Sequence, residues 1–93
     1  MVKEIGHFIG GKHVKGTSGR YADIFNPNTG EVSARVALAS AAELRAAVEN
    51  AKAAQPEWAA KNPQVRARVM MRFLELARIH AEEVATLISM EHG

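Results

Sequence analysis

The sequence predicts a mixed α/β fold in which two β-hairpins precede three helices. Three observations carry that expectation. Glycine and β-branched residues dominate up to about Ala39, and alanine and charged residues dominate after it. A Gly-Gly pair and an Asn-Pro-Asn-Thr-Gly run each separate short apolar runs, as hairpin turns do. Beyond Ser40 the apolar residues recur at three- and four-residue spacing instead of alternating.

The first hairpin is read from His7-Phe8-Ile9 and Lys12-His13-Val14, which flank Gly10-Gly11. A two-residue turn of the primed type needs positive φ, which glycine supplies without steric cost. This pairing sets Ile9 opposite Lys12, Phe8 opposite His13 and His7 opposite Val14. Lys15 to Arg20 is a polar loop. Tyr21–Phe25 and Glu31–Leu38 form the second hairpin, around Asn26-Pro27-Asn28-Thr29-Gly30. In the later run Val32, Ala34, Val36 and Leu38 alternate with Glu31, Ser33 and Arg35, a period of two that puts the apolar set on one face.

Ser40-Ala41-Ala42-Glu43 is a capping box. The serine oxygen accepts an amide N–H three residues on, and the glutamate reaches back to the serine N–H. Leu44, Ala47, Val48, Ala51, Ala54 and Trp58 then follow a helical period. Pro56 lacks an N–H and clashes with the preceding turn, so this helix is expected to end or kink near Gln55. Asn62-Pro63 opens a second helix as cap and first residue. Its stripe is Val69, Met70, Phe73, Leu74, Leu76 and Ala77. The pattern breaks near His80. Glu82 and Glu83 suit a first turn, Val84, Leu87 and Ile88 mark a third helix, and Gly93 is placed as its left-handed terminus. Together the stripes exceed what the segment can bury against itself, which predicts a missing partner surface.

Size and composition bound the function. At 93 residues the chain is one small domain at most. Residues 1–39 carry five basic and three acidic side chains and residues 40–93 carry seven of each, too even a spread for a nucleic-acid footprint. No run approaches a membrane span, and residues 1–11 do not form a secretory signal. The absence of cysteine fits a reducing compartment, and a cytoplasmic location is expected.

Chemistry-bearing clusters are scarce. His7 and His13 fall on opposite faces of the first hairpin, poor geometry for one metal. His80 and His92 are isolated. Glu75, Glu82 and Glu83 read as solvated. Lys61, Arg66, Arg68, Arg72 and Arg78 make a basic helical surface without the aromatic interleaving of a nucleic-acid site. The glycines match neither dinucleotide nor P-loop spacing. Trp58, Met70 and Met71 read as packing residues. No catalytic or cofactor-binding side chain is expected among the 93 residues.

One larger pattern remains. The turn Phe25-Asn26-Pro27-Asn28-Thr29-Gly30-Glu31-Val32 is followed by a capped alanine-rich helix ending near Trp58, an arginine-rich helix, and Glu91-His92-Gly93. This order resembles the N-terminal segment of the aldehyde dehydrogenase superfamily. His7-Phe8-Ile9-Gly10-Gly11-Lys12, Gly16-Thr17-Ser18-Gly19-Arg20 and Ala34-Arg35-Val36-Ala37-Leu38-Ala39-Ser40 resemble its CoA-acylating methylmalonate-semialdehyde dehydrogenase branch. The resemblance covers essentially this whole chain and about the first fifth of such an enzyme.

The resemblance implies that residues 1–93 are the N-terminal portion of an NAD-binding domain, with its helices flanking a Rossmann-like core. The parent would be a dimer or tetramer that uses NAD and CoA. In that family a cysteine thiolate attacks the aldehyde, hydride passes to NAD, and the acyl group leaves to CoA with loss of carboxylate; a thioester is a suitable activated intermediate. The cysteine and its partners would lie beyond residue 93, so the chain alone is expected to be inactive and to bind neither cofactor. Family members that hold a structural monovalent cation imply a site at the backbone carbonyls of Ile24 and Phe25. The family pattern continues past Gly93, which implies a truncated piece of a longer protein. The competing reading is a free-standing module that hides its apolar face by self-association; a nucleic-acid binder comes third.

Overall fold

The computed structural model describes residues 2–93. Its order is β1 (Lys3–Ile5), β2 (His7–Ile9), β3 (Lys12–Val14), β4 (Tyr21–Phe25), β5 (Val32–Ala37), α1 (Ala41–Ala60), α2 (Pro63–Ile79) and α3 (Ala81–His92). The mixed α/β architecture, with strands first and three helices after, is as expected.

Both hairpins form. β2 and β3 pair antiparallel in the expected register, Ile9 opposite Lys12 and Phe8 opposite His13. Gly10 and Gly11 hold φ of 63° and 78°, which only glycine adopts freely at two successive positions. The Phe8 and His13 rings meet edge to face with centroids 5.2 Å apart. β4 and β5 pair antiparallel with an irregularity between Ile24 and Phe25. At their turn the Asn26 side chain accepts the Asn28 N–H at 2.8 Å, and the Gly30 N–H reaches the Asn26 carbonyl at 2.8 Å.

The sheet corrects the two-hairpin plan in one respect. β1 lies parallel to β5, so the second hairpin grows into a three-stranded sheet of order β1-β5-β4, while β2-β3 stands as a separate sheet. Glu4 sits opposite Arg35 and pairs with its guanidinium, which also lies 4.6 Å over the Tyr21 ring. The pair and the cation–π contact fasten the short strand at its exposed face.

The second correction concerns α1. It continues through Pro56 to Ala60, so it does not end near Gln55. Pro56 lies in the exposed final turns, where the Lys52 carbonyl that loses its donor can turn to water. The capping box is complete: the Ser40 side chain accepts the Glu43 N–H at 3.1 Å, and the Glu43 carboxylate accepts the Ser40 N–H at 3.0 Å. Asn62 caps α2 through the Gln64 N–H at 2.8 Å, and Pro63 follows as its first residue. His80 divides α2 from α3. Gly93, at φ 94°, closes α3 and packs near the Pro27 ring, so the helix end meets the β4–β5 turn.

The core is thin. Among the described residues only Ala34 and Ala37 are buried, both on β5, and no helix buries a residue. The molecule measures 48 × 35 × 17 Å, with a radius of gyration of 17.0 Å. A compact chain of this length has a radius of gyration of about 12 Å.

Candidate functional site, an apolar helical face

The helices carry amphipathic stripes with nothing against them. On α1, Leu44, Val48 and Trp58 are exposed; on α2, Val69, Met70, Met71, Phe73 and Ile79; on α3, Leu87, Ile88 and Met90. Phe73 and Ile79 retain 66% and 67% of their surface. Trp58, Met70 and Met71, expected to pack in a core, find none within this chain. An unpartnered apolar surface of this extent marks a contact face.

Two local ion pairs lie on these helices. Arg72 pairs with Glu75 at 2.9 Å and His80 Nδ1 lies 3.0 Å from Glu83, each pair one turn apart and solvated. Both pairs are open to solvent, so Glu75 and Glu83 have no enclosed setting for acid–base work.

The remaining predicted positions are placed as follows. The Ile24 carbonyl accepts the Ser33 hydroxyl at 3.1 Å, and Phe25 pairs with Val32 beyond the irregularity. Backbone oxygens of this kind suit a hard cation, but two carbonyls are too few; further ligands would have to come from elsewhere. No group of three or more His, Cys, Asp or Glu able to hold a metal occurs among the described residues. The chain has no thiol, and its glycines lie outside any strand-to-helix cradle. A cleft of about 480 Å³ between hairpin and sheet, lined by Glu4, His7, His13, Lys15 and Tyr21 with aliphatic residues and glycines, is open to solvent.

One residue does more than its sequence signal indicates. Besides closing the capping box, Glu43 accepts the Thr17 N–H at 3.1 Å and lies 3.6 Å from His7 Nε2. The Ser40 N–H, then the Thr17 N–H, hold its carboxyl below the ordinary glutamate value, with His7 a smaller contributor. The capping box is legible locally; a contact across 26 residues is not.

The aldehyde dehydrogenase family model matches residues 13–93. The chain belongs to this family. A Sinorhizobium meliloti 1021 protein assigned as a methylmalonate-semialdehyde dehydrogenase, solved in complex with NAD, superposes on the whole chain with a TM-score of 0.96 and 62% identity, across 19% of that protein. The human mitochondrial methylmalonate-semialdehyde/malonate-semialdehyde dehydrogenase [acylating] is 42% identical over 86 residues, 92% of this chain and 16% of its own length. A betaine aldehyde dehydrogenase of Rhizobium etli is 39% identical over 87 residues, 94% of this chain and 18% of its own length. The chain thus spans about a fifth of the length of these aldehyde dehydrogenases.

Proposed function

We propose that this chain is the N-terminal flank of the NAD-binding domain of a CoA-acylating dehydrogenase that converts malonate or methylmalonate semialdehyde to acetyl-CoA or propionyl-CoA. In this reading residues 1–93 are scaffold. The three helices lay their apolar face on the cofactor-binding body, and the nucleophilic thiol and dinucleotide cradle come from the rest of the parent polypeptide. The parent assembles as a homo-oligomer without nucleic acid or membrane. The observation that carries the reading is the superposition over the whole chain on a relative solved with NAD, together with a helical face left uncovered here.

The parent reaction consumes aldehyde, NAD and CoA and yields acyl-CoA, NADH and carbon dioxide. In the assay, the complete enzyme carrying this segment is given methylmalonate semialdehyde and NAD, with and without CoA. NADH formation that requires CoA and yields propionyl-CoA is the expected result. Oxidation of betaine aldehyde to the free acid, with no CoA requirement, would overturn the substrate assignment. NADH formation by the 93-residue chain alone would overturn the scaffold role. The self-association reading uses the same apolar face; it would be favoured if the natural gene ended after Gly93 and its product formed concentration-dependent oligomers.

A further inference from the structure

We infer, on the reading that the parent polypeptide covers these helices, that Arg66 is the polar anchor of the apolar face and that its guanidinium takes a carboxylate of the body laid on α2. Val69, Met70 and Phe73 follow Arg66 by three, four and seven residues, so the helix sets all four on one stripe. The other charges of α2, on Arg68, Arg72, Glu75 and Arg78, are turned from Arg66 by about a third of a turn or more. A single cation therefore stands inside an otherwise apolar strip.

Its setting differs from that of its neighbours. Every other residue of α2 is exposed, while Arg66 is half-buried. Its Nε is enclosed and lacks a hydrogen-bond partner. The ion pairs on the helices join Arg72 to Glu75 and His80 to Glu83, and neither includes Arg66.

On an open stripe an arginine can lay its stem on apolar atoms and keep its head in water. A body seated on Val69, Met70 and Phe73 closes that escape, and a buried cation without a counter-charge is costly. A carboxylate removes the cost, because its two oxygens match the planar guanidinium fork with parallel N–H···O bonds. A backbone carbonyl could accept one N–H but would leave the charge uncompensated. The rest of the helix agrees in sign. α2 carries four arginines and one glutamate, so the surface that meets it is expected to be acidic.

The test uses the complete enzyme. Its structure should place an Asp or Glu oxygen from beyond residue 93 within hydrogen-bond distance of the Arg66 guanidinium. Arg66→Met should lower the melting temperature by several degrees, because it strands that carboxylate. Arg66→Lys keeps the charge and loses the fork, and should lower it less. Changing the carboxylate to its amide should cost less in the Arg66→Met background than in the unsubstituted enzyme. Phe73→Ala separates this inference from the reading beneath it. If Phe73→Ala destabilises the enzyme and neither Arg66 variant does, the anchor is overturned and the covered face stands. A guanidinium that meets only carbonyls or water, or additive losses in the double substitution, also overturns the anchor. If none of these variants destabilises the enzyme, the covered face falls as well.

Discussion

Glu43 shows how one side chain serves both a helix and the tertiary structure. Its carboxyl is held below the ordinary value by the Ser40 and Thr17 amides, so its ionised form is favoured in the folded chain. The stabilisation is therefore complete above the ordinary glutamate pKa and disappears as pH falls through the lowered one. Denaturation midpoints measured from neutral pH down to about pH 3 should fall on the acid side, and Glu43→Gln should flatten that limb. Ser40→Ala removes only the cap and should cost about 1 kcal/mol, read as a lower midpoint in chemical denaturation. Gly16 makes a different kind of demand. A methyl there would meet the Cβ of Ala37, one of the two buried residues among those described, at 2.6 Å. Gly16→Ala should cost about 1–3 kcal/mol through overpacking, whereas a measured loss near zero would mean that β5 yields easily at this point.

At the scale of elements, legibility in the sequence follows the range of the cause. Gly10-Gly11 dictates a turn type, and that turn fixes the His7–Val14 register. Ser40 and Glu43 lie three residues apart, so the start of α1 can be read directly. Asn62-Pro63 and the His80 boundary are local in the same way. β1 is not: Lys3–Ile5 has three residues, and its reason to be a strand is a parallel partner about thirty residues away on β5. The contact face was legible as a surplus of apolar stripe, because periodicity is a property of each helix alone, but what covers it is not written in these residues. Pro56 does not end α1, because the cost of a proline drawn from helix interiors is smaller near an exposed end. The continuous α1 makes that cost measurable. Pro56→Ala restores an N–H for the Lys52 carbonyl and removes the ring, so it should raise helicity in circular dichroism. It should also stabilise the chain by about 1–3 kcal/mol. No gain would mean that the last turn of α1 is already slack.

At the scale of the whole molecule, surface area states the case. The chain exposes 7806 Å² for a mass of 10.1 kDa, where a compact monomer of that mass exposes about 5,300 Å². The excess, about 2,500 Å² on one partner, matches one side of a large obligate interface. The apolar stripes of α1, α2 and α3 form the greasy part of that excess, and Phe73, at 66% exposure, is its largest free ring on α2. The same substitution should therefore give two different answers in two settings. In the 93-residue chain Phe73→Ala removes little buried area and should change the denaturation midpoint hardly at all. On the proposed scaffold role the ring would lie beneath the cofactor-binding body of the complete enzyme, and its loss should then cost about 3–5 kcal/mol, seen as a lower melting temperature and a smaller assembled fraction in size-exclusion chromatography. Equal effects in both settings would mean that the face is not covered in the enzyme, and the scaffold role proposed for these helices would fall with it.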